Sequence, residues 1–207
     1  MEGVVKGYLA YFGAEDIFLI DDGSEGEDSS LLSERYGINV IKHAHNRGKG
    51  AALKTGFEVA LQRGYTHVLT ADADGQHPAR FVPLFIKAAR KYDIVIGSRK
   101  GQIKRIPLHR QLSNRITSTF ISVMLGRRIE DSQSGFRLIS GEVLRRVNLK
   151  RDRYDMESEL LVKAVWMGFT VGFVPVDVVP SGKSFINPVR DVLRAITLAM
   201  ELILSRA

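Results

Sequence analysis

The stretch H-V-L-T-A-D-A-D-G-Q-H-P, residues 67–78, decides the fold. A short β-forming run, His67 to Thr70, ends in two aspartates set two apart. A glycine follows that lets the backbone turn closely, and Pro78 opens an amphipathic pattern to about Lys91. The same pattern recurs along the first half of the chain. Ile17 to Ile20 runs into Asp21-Asp22-Gly23-Ser24, a polar helix extends to about Tyr36, and a second strand covers Ile38 to Ile41. Gly48-Lys49-Gly50 opens a helical pattern through Ala51, Leu53, Phe57, Ala60 and Leu61 that Gly64 closes. Ile94-Val95-Ile96 is a fourth strand, stopped at Gly97-Ser98-Arg99.

Four compact apolar strands alternating with helices predict an α/β fold with a mostly parallel central sheet and helices on both faces. Ligands of such sheets bind beyond the carboxyl ends of the strands. Asp21-Asp22, Asp72 with Asp74, and Ser98-Arg99 all fall there. The second half is less regular, with helices over 109–125 and 155–167, a strand-like segment over 134–139 and a strand over 170–179. No repeat, low-complexity stretch or linker interrupts it, so residues 1–207 read as one domain.

At 207 residues and 44% apolar composition, a chain buries about 70% of its unfolded surface and needs no covalent staples. The absence of cysteine excludes a disulfide scaffold, a cysteine zinc site and a thiol nucleophile. Thirty Lys and Arg against 23 Asp and Glu give a net charge of +7, which favours anionic partners. Met1 to Tyr11 lacks the apolar core of a signal peptide, and no run of 18 apolar residues is present. The sequence therefore reads as a soluble or peripheral protein.

Asp72 and Asp74 repel unless a cation lies between them, and oxygen ligands of this kind suit Mg²⁺ or Mn²⁺ completed by water and substrate phosphate. Gln76 adds an amide oxygen. The same turn also serves as an acidic cap on the next helix. Asp21 and Asp22 suit recognition of a base or ribose, or equally a helix cap. Asn46-Arg47-Gly48-Lys49-Gly50 sets amides and cations at a helix N-terminus, which favours phosphate, although the spacing is not that of a Walker loop. Asp131 to Arg137 carries an acid, hydroxyls and a cation on one irregular segment, fit to clamp an anion or to lie as a solvated edge. Glu157 and Glu159 read as charges on a helix face. The histidines do not cluster, and only His77 adjoins the acidic loop.

Taken together and in order, L-I-D-D-G-S (19–24), H-N-R-G-K-G-A-A-L-K-T-G-F (45–57), D-A-D-G-Q-H-P (72–78), I-G-S-R (96–99), P-L-H-R-Q-L-S-N-R (107–115), D-S-Q-S-G-F-R (131–137), M-E-S-E (156–159) and N-P-V-R-D (187–191) resemble family-2 glycosyltransferases. The likeness is strongest to the dolichol-phosphate mannosyltransferase-like branch. The resemblance implies a GT-A fold. It also implies an inverting transfer of a hexose, mannose or glucose, from a GDP- or UDP-sugar to a polyprenyl or dolichyl phosphate. By the same resemblance Asp21, Asp22, Asn46, Gly48, Lys49 and Asp72 bind the nucleotide sugar, and Asp72, Asp74 and Gln76 hold the divalent cation. Arg99, Ser134, Arg137 and Lys183 grip the acceptor phosphate, with Arg99 and Arg137 also placed among the catalytic residues. Asp131 matches the position of a general base; an acceptor phosphate already ionised near pH 7 leaves it free to orient neighbours instead.

Relatives begin with a strand of the form V-x-I-P-x-Y-N-E, which is absent here, so Met1 to Gly13 reads as the remnant of the helix that follows it. Residues 109–128 alternate apolar and basic positions, and within the C-terminal helix over 188–207 the stretch Val192 to Leu204 is strongly apolar but carries Arg194 and Glu201, as core or interfacial helices do. The resemblance thus implies a peripheral enzyme on the cytoplasmic face of a membrane, with no nucleic-acid partner, and leaves the oligomeric state open. A saccharide or protein acceptor, and an impaired nucleotide-sugar-binding protein, are the competing readings.

Overall fold

Ile94, Val95 and Ile96 are fully buried because side chains alternate across a strand and both faces of this one are covered. Ile94 and Ile96 enter one core, with Ile139, Phe57, Ile121, Met156, Leu160 and Leu161. Val95 points the other way, into a second core with Leu138, Phe136, Val82, Phe85 and Tyr8. The computed structural model describes residues 1–24, 29–99, 108–177, 197 and 201.

In chain order the elements are α1 (Glu2–Leu9), β1 (Phe18–Asp21), α2 (Ser30–Tyr36), β2 (Asn39–Lys42), α3 (Lys49–Gln62), β3 (His67–Thr70), α4 (Val82–Ala89), β4 (Ile94–Ser98), α5 (Leu108–Leu125), β5 (Arg137–Ser140), α6 (Gly141–Arg146), α7 (Met156–Trp166) and β6 (Val171–Pro175). The strand–helix alternation expected from the first half is present, with bounds shifted by a residue or two. The helical reading of the first residues also holds. α1 buries Val5 and Tyr8, and the Tyr8 hydroxyl donates to the His77 carbonyl at 2.9 Å, which ties α1 to the acidic turn.

β3, β4 and β6 run the same way, as a mostly parallel sheet requires; the antiparallel β5 and the separate β1–β2 pair are what the order of elements does not reveal. β1 and β2 pair in parallel as a two-stranded sheet, and β3-β5-β4-β6 form a second sheet of four. β5 lies antiparallel to both β3 and β4, and β4 runs parallel to β6. An antiparallel insertion needs no helical crossover, so the order of strands and helices does not announce it. Among the described residues no backbone hydrogen bond joins β1 to β3, and α3 lies across both sheets. On the β1 side a Cβ added to Gly56 would stand 3.5 Å from the Ile20 side chain, so α3 seats closely there. On the β3 side Leu53 packs into the core that Val68 joins. The expected C-terminal helix over 188–207 lies outside the described residues, apart from positions 197 and 201, which are helical.

Candidate active site

β1 ends in Asp21 and Asp22, and both carboxylates are engaged by the protein. Asp21 accepts from the Ser24 amide at 2.8 Å and the Ser29 hydroxyl at 2.6 Å, closing the turn after β1. Asp22 Oδ1 accepts from the Arg47 amide at 3.0 Å, and Oδ2 from the Gly48 amide at 2.7 Å, while His43 Nδ1 stands 2.7 Å from Oδ1. Burial opposes the charge on Asp22, but these amides and His43 outweigh it and hold the carboxyl below its ordinary value. Asp22 therefore fixes the loop that carries exposed Asn46 into α3.

Gly48 and Gly50 let that loop meet the segment before α7. A Cβ on Gly48 would lie 2.5 Å from the Asp152 carbonyl oxygen, and one on Gly50 2.6 Å from the Asp152 carbonyl carbon. Gly48 also sits at φ +104°, a region that favours glycine. The Asp152 carbonyl accepts from the Ala51 amide at 3.0 Å. Asp22 and Asp152 thus consume amides that an unoccupied helix terminus would offer to phosphate, and the cation of this terminus is the Lys49 ammonium.

Lys49 Nζ lies 2.7 Å from Asp72 Oδ1 and 3.3 Å from Glu157 Oε1. Burial disfavours the ammonium, yet Glu157 and Asp72 together hold its pKa above the ordinary lysine value. Asp72 leaves the end of β3 half-buried; burial works against its charge, and Lys49, then His77, more than compensate and lower its pKa. The Asp72 amide donates to His77 Nδ1 at 2.8 Å, so that nitrogen is the unprotonated one. Burial, with Lys49 and Arg99 nearby, lowers the pKa of His77 and keeps the ring neutral. The ring stacks on Phe136 at a centroid distance of 5.1 Å. Asp74 is exposed, accepts from the Gln76 amide at 2.9 Å and also meets the Gln76 side chain.

Asp72 and Asp74, with the amide oxygen of Gln76, form an incomplete set of hard oxygen donors on one turn. Among the described residues no group of three or more His, Asp or Glu side chains is placed to hold a metal ion. That composition fits Mg²⁺ or Mn²⁺, which take few protein ligands and fill the remaining positions with water and substrate phosphate.

Beyond β4, Arg99 forms a two-pronged pair with Asp131, Nε to Oδ2 at 2.8 Å and Nη2 to Oδ1 at 2.9 Å. Asn114 on α5 adds a third side-chain donor at 3.0 Å, and Asp131 is 1% exposed. The Asp131 carboxylate is thus committed to Arg99 and Asn114 in this structure.

Arg137 corrects the expectation of an acceptor clamp. It is 1% exposed and donates to the backbone carbonyls of Ser134 at 2.8 Å, Glu157 at 2.7 Å and Ser132 at 2.8 Å. It is a core cation that stitches β5 to the start of α7, with a donor from each of its three nitrogens taken by a backbone carbonyl. Ser134 is also buried, and its hydroxyl has no hydrogen-bond partner. Lys183 lies outside the described residues.

Glu157, read from the sequence as a helix-face charge, is instead 7% exposed and sits at the site. The available signal was its company: Met156, Leu160 and Leu161 around it are core residues, and a charge inside such a set needs a partner. Its neighbour Glu159 has one, capping the Lys150 and Arg151 amides and pairing with Lys163.

The chain is similar to a polyprenol monophosphomannose synthase from Mycolicibacterium smegmatis, 30% identical over 77% of this chain and 65% of that protein. It is equally similar to a UDP-N-acetylglucosamine–dolichyl-phosphate N-acetylglucosaminyltransferase from Methanococcus voltae, 30% identical over 78% of this chain and 74% of that one. In structure it resembles glucosyl-3-phosphoglycerate synthase from Mycobacterium tuberculosis, solved with Mn²⁺, UDP and glucosyl-3-phosphoglycerate. The TM-score is 0.71 at 17% identity, over 97% of this chain and 74% of that one, so the fold is of the GT-A type. Residues 5–148 match the model of glycosyl transferase family 2, and the chain belongs to that family and is a glycosyltransferase.

Proposed function

We propose that the chain moves a hexose from a nucleotide diphosphate sugar to a polyprenyl phosphate, with a divalent cation bound at Asp72, Asp74 and Gln76. The observation that carries this reading is the meeting of Lys49, Asp72 and the acidic turn at one end of the sheet, with Arg99 on its Asp131 rest beyond β4. One part of that arrangement suits a diphosphate and its cation; the other presents a cation to a second anion. The relatives named for polyprenol and dolichyl phosphate acceptors support the lipid half of the reading.

Asp72, Asp74 and Gln76 would hold a divalent cation whose Lewis acidity would stabilise charge growing on the leaving nucleotide. Lys49 adds a positive charge at the same end of the sheet, half-buried and therefore stronger than in water. An acceptor phosphate oxygen forms the new bond to the anomeric carbon as the bond to the diphosphate breaks, and the electron pair leaves with the nucleotide. The phosphate is already ionised near neutral pH, so no protein base is required. Asp131 accordingly keeps its bonds to Arg99 throughout and holds that guanidinium toward the acceptor.

No helix among the described residues is long and apolar enough to cross a membrane. The proposed lipid contact is α5, which exposes Leu112, Ile116 and Val123 beside the exposed Arg115, with Arg127 and Arg128 just beyond its end. We place this face on the anionic cytoplasmic leaflet. The test is incubation with Mn²⁺ or Mg²⁺, a panel of GDP- and UDP-sugars that includes UDP-N-acetylglucosamine, and a short polyprenyl phosphate. A lipid-linked sugar from one donor is expected. No transfer from any donor, with nucleotide binding intact, overturns the reading.

A further inference from the structure

Lys49 has two carboxylate anchors and uses them unequally. It makes a close contact with Asp72 Oδ1 at 2.7 Å, whereas Glu157 Oε1, at 3.3 Å, is buried without a hydrogen bond. Burying a carboxylate oxygen in that condition is costly, so the site carries an acceptor for which the present arrangement has no full donor. The floor between the anchors is Gly135. A Cβ there would lie 2.7 Å from Lys49 Nζ, 3.0 Å from Glu157 Oε1 and 3.2 Å from Asp72 Oδ2, so three charged head groups meet over a bare Cα. The backbone beneath each carboxylate is held in place. The Glu157 carbonyl is held by Arg137 at 2.7 Å, and the Asp72 amide by His77 at 2.8 Å.

We propose that Glu157 is a positioning residue that receives the Lys49 ammonium when Asp72 turns to the divalent cation, and so keeps a positive charge facing the nucleotide diphosphate. The proposal rests on the function proposed above. Asp72 is claimed both by Lys49 and by the cation. Without a second anchor the displaced ammonium would either compete for Asp72 or swing toward solvent. Glu157 removes that choice, and the missing side chain at 135 leaves the path between the anchors open. One ammonium thus passes from blocking an empty metal site to serving a filled one. The cation and the nucleotide then bind as a coupled pair rather than independently.

The test is direct titration of the folded chain with Mn²⁺ alone, and with GDP or UDP in the presence of Mn²⁺. It uses the wild type, Glu157→Gln, Lys49→Met and the double variant, each checked for an unchanged thermal transition. Lys49→Met should bind Mn²⁺ alone about tenfold more tightly, because Asp72 is released, yet bind the nucleotide with Mn²⁺ more weakly. Glu157→Gln should weaken nucleotide binding with Mn²⁺ about tenfold when Lys49 is present and less than about twofold when it is methionine. Equal losses in both backgrounds would mean that Glu157 acts through its own charge and would overturn the proposal. So would a Glu157→Gln chain that binds like the wild type, or a Lys49→Met chain with no gain in Mn²⁺ affinity. A wild type that binds none of these nucleotides sinks the functional reading and this inference together. A wild type that binds, alongside a Glu157→Gln that binds equally, sinks the inference alone. Should Glu157→Gln fail to fold, Glu157→Asp, which keeps the charge but draws it back from Lys49, is compared in the two backgrounds in the same way, and the same outcomes decide.

Discussion

Asp22 joins three parts of the chain through two oxygens: the end of β1, the entry to α3 and His43 after β2. Replacing it by Asn keeps the shape but loses the charge and turns an acceptor into a donor facing the Arg47 or Gly48 amide. The expected loss in urea denaturation is about 2 kcal/mol, the scale of a buried charged acceptor removed from its donors. The pH dependence has a definite sign. The folded carboxyl lies below its ordinary value of 3.8, so its contribution is complete well above that pH. It is lost as pH falls through 3.8 toward the folded value, and Asp21, lowered in the same direction, adds to the trend. Asp22→Asn should therefore flatten the acid limb of the stability curve, and an unchanged limb would refute the assignment. Asp22, Asp72 and Asp131 are visible in the sequence because they sit at strand ends or in a compact polar segment. The direction of a side chain is not. Arg137 suits a phosphate equally well whether it faces a pocket or three backbone carbonyls, and only the packing of α7 against β5 decides which. Glu157 stays hidden for the complementary reason, since a glutamate two residues into a helix is commonest as a solvated charge.

α5 shows how much an element reveals about itself. Its amphipathic spacing is plain in the sequence, but the spacing serves a core helix and an interfacial helix alike. Burial separates its two faces. Ser113, Thr117, Ser118 and Ile121 turn inward, toward the segment that holds Asp131 and Ser132, while Leu112, Ile116 and Val123 remain exposed. The inward side thus mixes these polar groups with Phe120, Met124 and Leu125, which pack on the core, while the outward face is partly apolar, unlike that of an ordinary surface helix. Replacing Leu112, Ile116 and Val123 together by serine removes exposed apolar area without touching the hydrogen-bonded face. Stability should stay within about 0.5 kcal/mol per site, as for surface positions generally. Flotation with vesicles of anionic lipid should fall several-fold relative to the unsubstituted chain, and added salt should weaken binding of both. Equal flotation of the two chains would remove α5 from the membrane contact. β5 is the opposite case. Its four residues are legible as a strand, but its place between β3 and β4 is fixed by contacts distant in sequence, to which local periodicity is blind.

At the scale of the whole molecule, the two sheets have unequal support. β4 is paired on both sides, by β5 and β6, and packed on both faces, so its amides open only when the four-stranded sheet does. β1 and β2 have one pairing between them, and their residues are mostly half-buried. Their attachment to the rest runs through α3, through Asp22 and the Arg47–Gly48 amides, and through the edge-on contact of Phe18 with Tyr65 at 5.9 Å. Such an arrangement opens in parts. Native-state hydrogen exchange should find the amides of Ile94 and Ile96 near the global stability, and those of Leu19, Ile20, Val40 and Ile41 exchanging through a smaller opening. The difference has a functional consequence, because Asp21 and Asp22 end the less protected pair, whereas Asp72, Asp131 and Glu157 belong to the four-stranded sheet and the helices packed on it. On the proposed function, a nucleotide held with Mn²⁺ at Asp22 and Asp72 would touch both. Its addition should slow exchange in β1 and β2 by the amount set by its affinity, while β4 changes little beyond the global shift. Uniform protection of both sheets without nucleotide would show instead that α3 already joins them into one cooperative unit.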